Sequence, residues 1–143
     1  MILDENFYKM FVMNEKFEKI LEQIQEKDSR YKEDAYLFVM EALSYTQKRF
    51  KVDRHVTGEE MLVGLRELLM NKFGPLTMAV LEFWGIKNTE DFGHVIFNLV
   101  ENNILTKTEE DDIGIFRNAY NFEQVFKEGY REQLHKKISR MRS

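Results

Sequence analysis

The residues able to do chemistry in this chain are few and scattered. His55, His94 and His135 are its only histidines, and no two have metal-ligand spacing such as His-x-x-x-His, so a zinc site would need carboxylates from elsewhere. The sequence holds no cysteine, which removes disulfides, thiolate metal sites and cysteine nucleophiles together. The run Glu109, Glu110, Asp111, Asp112 offers oxygen ligands but lacks the alternating spacing and central glycine of an EF-hand loop, and the expectation is a solvated turn. Arg54 and His55 precede a helix start, where free N–H groups favour anions. Glu59 and Glu60 in the same first turn oppose an anion, which points to a loop-holding role instead. No glycine-rich phosphate loop or nucleophile elbow occurs. No catalytic residue, cofactor or metal site is therefore expected, and an enzyme is the least supported class.

The elements that would position these residues are mostly helices. Phe17, Ile20, Leu21 and Ile24 fall on one face of a helix from Glu15 to Lys27, with Asn14 as its cap. Ala35, Phe38, Val39, Ala42, Leu43 and Thr46 mark a second helix ending near Phe50. Thr57 and Glu60 form a Thr-x-x-Glu capping box, in which the Thr hydroxyl accepts from the Glu60 N–H while the carboxylate reaches back to the Thr57 N–H. Met61, Leu62, Leu65, Leu68, Leu69 and Phe73 carry the buried face of that third helix, and Gly74-Pro75 stops it. Gly64 costs up to about 1 kcal/mol inside a helix relative to Ala, so a close helix contact is expected there. A short helix from Pro75 to Trp84 buries Leu76, Val80, Leu81 and Trp84.

Asn88 or Thr89 caps the next helix, with Phe92, Val95, Ile96, Leu99 and Val100 at helical spacing up to Asn102 and Asn103. Asn98 lies between Phe97 and Leu99, where a partly buried amide needs hydrogen-bond partners. Residues 104–108 and 113–117 flank the acidic run and are expected to form an antiparallel hairpin with an acidic tip. Asn121 caps a final helix bearing Phe122, Val125, Phe126, Leu134 and Ile138. Phe83, Trp84, Phe92 and Phe97 are expected in the core, and Tyr120 and Phe122 behind the hairpin. Residues 1–13, crowded with Phe7, Tyr8, Met10, Phe11, Val12 and Met13, read as an appended helix docked on the core, with a partner-binding arm as the alternative.

Length and composition agree with one mainly α domain. The chain has 143 residues, 43% of them hydrophobic and 13% aromatic. It carries a formal charge of −4, with +4 in residues 127–143 and −8 in the rest. An acidic body disfavours nonspecific polyanion binding, which draws its free energy from cations displacing counterions. No apolar run approaches a membrane span, and Asp4 and Glu5 stand where a signal peptide would carry positive charge, so a cytoplasmic protein is expected.

Two short helices, a tight connection, a third helix and then a hairpin is the order of a winged helix-turn-helix. Leu65, Leu68, Phe73, Gly74, Pro75, Leu76, Thr77, Val80, Leu81, Gly85, Ile86, Thr89, Ile96, Leu99, Val100, Ile104 and Leu105 resemble the apolar and glycine skeleton of bacterial winged-helix domains, within a unit spanning 57–117. Over residues 17–126 the chain also resembles a family of small bacterial proteins without an assigned activity. Arg54-His55-Val56-Thr57-Gly58, Gly64-Leu65-Arg66, Phe73-Gly74-Pro75, Trp84-Gly85, Asp91-Phe92-Gly93, Phe97-Asn98-Leu99-Val100-Glu101, Lys107-Thr108 and Tyr120-Asn121-Phe122 carry that likeness. It implies a single domain and no particular chemistry.

A winged helix that reads DNA presents cations and amides from its third helix and wing. Here the third helix offers Thr89, Glu90, Asp91, His94, Asn98, Glu101 and Asn102, with no Lys or Arg from Asn88 to Thr106. The wing offers Glu109, Glu110, Asp111 and Asp112, which would repel phosphates spaced about every 1.7 Å of duplex axis. The expected function is therefore a non-enzymatic protein-interaction module. Its partner surface would be Glu90, Asp91, His94, Asn98, Glu101 and the acidic wing. The alternative is a DNA-binding regulator contacting phosphates through Lys127, Arg131, Lys136, Lys137, Arg140 and Arg142. Against it, Glu128 with Arg131 and Glu132 with Lys136 have the spacing of ordinary surface pairs on a solvated helix.

Overall fold

The computed structural model describes residues 1–3 and 14–142. The chain is mainly helical, with one small antiparallel sheet. A strand β1 (Ile2–Leu3) is followed by α1 (Asn14–Lys27), α2 (Glu33–Arg49) and α3 (Gly58–Phe73). A 3₁₀ turn (Gly74–Leu76) leads into α4 (Thr77–Trp84) and α5 (Thr89–Glu101), after which comes β2 (Leu105–Thr106). A second 3₁₀ turn (Ile113–Phe116), a π-helical turn (Glu123–Glu128) and α6 (Gly129–Arg142) complete the order. Of the appended helix, or alternatively the arm, expected over residues 1–13, residues 4–13 lie outside the described residues.

Local signals set the helix ends. The Thr57 hydroxyl accepts from Glu60 N at 3.0 Å and the Glu60 carboxylate accepts from Thr57 N at 2.9 Å, the reciprocal box that the spacing predicts. A second box opens α5, where Asn88 and Asp91 exchange the same two bonds. Gly85 closes α4 with φ +84°, and a Cβ there would lie 2.2 Å from the Arg30 carbonyl oxygen. Only glycine admits both that left-handed turn and so close a neighbouring backbone.

The core is one connected cluster between these helices. α2 and α3 pack so closely that a Cβ on Gly64 would fall 1.8 Å from Thr46 Oγ1, the close contact the mid-helix glycine implies. Trp84 is wedged against Phe38 and Phe73, with ring centroids 5.1 and 5.6 Å away. Phe92, Tyr120, Phe122 and Phe126 make a second aromatic group, in which Phe122 and Phe126 are 5.5 Å apart.

The hairpin expected at 104–108 and 113–117 does not form. Leu105 and Thr106 pair instead with Leu3 and Ile2, and residues 113–116 coil into the 3₁₀ turn that packs on α5. The physical reason lies in two places. Thr89 Oγ1 donates to the Phe116 carbonyl and accepts from Ala119 N, which ties the returning chain to α5. Met1 meanwhile exchanges backbone hydrogen bonds with Val56 at 2.8 and 3.0 Å, bringing β1 to the β2 edge. Ile2–Leu3 thus form a strand and not the start of a docked helix.

The last helix also differs from expectation. Phe122, Val125 and Phe126 are buried, but α6 buries none of its residues. Leu134 and Ile138, expected on an inward stripe, are exposed together with Met141. Leu76 and Phe83, expected in the core, lie on the surface as well, 64% and 65% exposed. Helical spacing reports a side chain's angle around its helix, and it does not say whether a neighbour lies opposite.

Candidate functional site

Much of the surface expected to meet a partner is engaged in holding the fold. Asp91 accepts at one oxygen from the Tyr31 hydroxyl and at the other from Lys87 N (2.7 Å) and Asn88 N (3.3 Å). Asn98 donates both protons of its amide, to Asp28 Oδ2 and to the Tyr36 hydroxyl, each at 3.0 Å. Arg30 closes the other side of Asp28 through Nε and Nη2, both at 2.8 Å. That guanidinium holds the Asp28 carboxyl far below the usual carboxylate range against the opposing effect of burial, and the Asn98 amide adds to it. Burial pushes the Tyr31 phenol far above its usual range, and its donation to Asp91 pushes it further, so the donor keeps its proton. These six side chains clasp the α1–α2 connection to α5. The amide at Asn98 has the hydrogen-bonding role its setting demands, whereas Tyr31 and Asp28 gave no signal in a segment that reads as a polar break.

Of the remaining α5 residues, Glu90 lies 3.4 Å from both His94 Nε2 and Arg117 Nε, and Glu101 is exposed. In the acidic run, Glu109, Glu110 and Asp112 are exposed, but Asp111 is buried at 9% exposure. Its Oδ2 accepts from the Met1 ammonium at 3.0 Å and from Thr108 N at 2.9 Å. Burial opposes its charge, yet these donors outweigh burial and hold its pKa below the usual value. Asp111 is therefore removed from the expected partner surface, because its carboxylate is the anchor of β1 and of its own loop.

Asp111 also lines a cavity of about 280 Å³ beside the first turn of α3, with Arg54, His55, Glu59, Glu110 and Ile115 around it. His55 Nδ1 is buried there without a hydrogen-bond partner. Arg54 is not available to an anion, since it reaches the Glu60 carboxylate at 3.3 and 3.4 Å and donates to the His55 carbonyl. Two hydroxyls stand in the lining: that of Thr57 is spent on the α3 cap, and that of Thr108 lies beside Asp111, to which the Thr108 backbone N–H donates. The cavity thus gathers a histidine, carboxylates and the Thr108 hydroxyl. Among the described residues no group of three or more His, Asp or Glu side chains is placed to hold a metal ion.

Among the described residues, two surfaces expose large apolar side chains close together. The first is a shallow apolar groove of about 500 Å³ between α2 and α4, lined by Phe73, Leu76, Ala79, Val80, Phe83 and Trp84, with Asp34 at its edge. The Phe73, Trp84 and Phe38 ring contacts give it a rigid floor, and Lys32 Nζ stands 5.8 Å from the Phe83 ring centroid. The second is α6, where Leu134, Ile138 and Met141 follow i, i+4, i+7 spacing and are 43%, 41% and 83% exposed. Arg131 and Arg142 flank that stripe on one side and Lys137 on the other, while Lys127 and Lys136 are exposed elsewhere along the same helical segment. The expected pairs Glu128–Arg131 and Glu132–Lys136 are not among the ion pairs of the described residues. None of the described helices is long and apolar enough to cross a membrane. Comparison with protein-family models, curated proteins and solved structures finds no match to this chain.

Proposed function

We propose that this chain is a non-enzymatic protein-interaction module whose contact surface is the apolar groove between α2 and α4. The observation that carries this reading is the exposure of Leu76 and Phe83, 64% and 65%, beside a floor of packed aromatic rings. Large apolar side chains grouped on a surface cost solvation free energy unless a partner covers them, and aromatic anchors of this kind dominate protein interfaces. Polar atoms that would orient a small substrate are sparse in the groove, with Asp34 the single ionisable residue in its lining. The acidic surface of α5 and the following loop supports a lesser role, since Asp91, Asn98 and Asp111 are occupied by intramolecular partners.

The test is capture of the tagged full chain from its native extract, with and without nuclease, using wild type, Phe83→Glu and the triple variant Glu109→Lys, Glu110→Lys, Asp112→Lys. A stoichiometric protein is expected to survive nuclease and the triple variant and to be lost with Phe83→Glu. Retention by Phe83→Glu with loss in the triple variant would move the contact to the acidic loop. Recovery of nucleic acid, with proteins lost after nuclease and binding that falls steeply with salt, would overturn the reading in favour of a polyanion binder acting through α6.

A further inference from the structure

The apolar groove holds one unsatisfied donor. Trp84 is 6% exposed, packs against Phe38 and Phe73, and meets the surface in the groove lining. Its indole N–H makes no hydrogen bond with a described residue. The one side-chain polar atom sealed in without a partner among the described residues is His55 Nδ1, so the indole N–H stays open to an incoming acceptor. Acceptors in the groove are scarce. The carbonyls of Lys32, which caps α2, and of Trp84, which ends α4, already accept from Ala35 N and Lys32 N. Asp34 carries the one charge in the lining and makes no ion pair among the described residues, while neighbouring Lys32 stands over the Phe83 ring.

An occupant of this groove must bring an acceptor to Trp84, few N–H donors, and apolar surface for Leu76 and Phe83. A helix spends its backbone carbonyls on itself up to the last turn, so its apolar face would seal the indole N–H without a partner. A β-strand brings free carbonyls and as many N–H groups, for which the groove has no acceptors to spare. A polyproline II segment leaves its carbonyls unbonded, its prolines have no N–H, and such segments dock in aromatic-lined grooves. We propose that the groove takes an extended proline-rich segment of a partner protein, flanked by a Lys or Arg that pairs with Asp34, and this rests on the reading of the groove as a protein-contact surface. Leu76 to Phe83 spans about 10 Å of helix axis, the length of about three residues of polyproline II at a rise of about 3.1 Å. The contact is thus a short motif, with one carbonyl facing Trp84 and its ring surfaces against Leu76 and Phe83.

Trp84 is the chain's only tryptophan, so its indole N–H resonance reports on the groove directly. The isotope-labelled full chain is titrated with deca-proline, with deca-proline bearing an Arg at each end, and with deca-proline bearing a Glu at each end. The Arg-flanked peptide is expected to bind tightest and the Glu-flanked one weakest, each moving the indole resonance toward the position of a hydrogen-bonded N–H. Phe83→Glu is expected to weaken binding of all three by at least about tenfold. Asp34→Asn is expected to remove the preference for Arg ends, worth about two- to fivefold at an exposed pair, and to leave deca-proline binding unchanged. Both substitutions sit at exposed positions, and circular dichroism checks that each variant keeps its helix content. An indole resonance that no proline peptide moves, or that moves equally in Phe83→Glu, overturns the inference. So does a resonance that moves only when the chain alone is concentrated, which gives the groove to a second copy, or only with an amphipathic Leu/Lys helical peptide, which gives it to a helix. Phe83-dependent capture of a protein beside an indole that ignores proline peptides removes the proline segment and leaves the groove reading standing. If neither capture nor the indole resonance responds to Phe83→Glu, both fall.

Discussion

Asp111 stands third in a run of four carboxylates, and of the four it alone is buried. Its depressed pKa gives stability a definite pH dependence. The carboxylate contributes fully above its unfolded-state pKa, near 4, and the contribution is lost as the pH falls through the lower native value. Asp111→Asn is expected to cost about 2–3 kcal/mol at pH 7 by leaving the Met1 ammonium buried without its counter-charge. Urea titrations at pH 7 and pH 3 check this, and the gap between wild type and variant should shrink at the lower pH. Asn98 permits a second test. Asn98→Asp puts a carboxylate within hydrogen-bond distance of Asp28, and a loss of about 2 kcal/mol at neutral pH, relieved in acid, is expected from the same titrations.

At the scale of elements, α2 and α3 are locked by the contact between Thr46 and Gly64. Thr46 Oγ1 donates to the Ala42 carbonyl at 2.6 Å and is fully buried, so it cannot turn aside for a new methyl group. Gly64→Ala should therefore destabilise by about 1–3 kcal/mol although Ala is the better helix former. Thermal unfolding checks this, and adding Thr46→Ala should recover part of the loss, since the nearest clashing atom is the Thr46 hydroxyl. The Thr57–Glu60 capping box, the stop at Gly74-Pro75 and this helix contact were legible because each depends on residues close in sequence or on one side chain's size. The partner of β2 was not legible: a strand of two residues takes whichever edge the fold delivers, and the edge delivered is Ile2–Leu3.

At the scale of the molecule, an acidic body carries a cationic terminal helix. The candidate partner residues were legible as types and only partly as a surface. Glu101, Glu109, Glu110 and Asp112 are exposed, but Asp91 and Asn98 face the α1–α2 connection and Asp111 faces Met1.

The sequence by itself determined the helical class, the helix start at Thr57, the stop at Gly74-Pro75 and the division of charge between body and tail. Each follows from local stereochemistry, periodicity or counting. Only the tertiary structure decided which apolar faces found a neighbour, which carboxylates were consumed as anchors and which strand paired with Leu105–Thr106. Those outcomes turn on residues far apart in the chain, Asp28 with Asn98 and Met1 with Asp111 among them, and no local pattern encodes the meeting of two distant side chains. Leu76 and Phe83 have the helical spacing of core residues, yet they are left at the surface, 64% and 65% exposed.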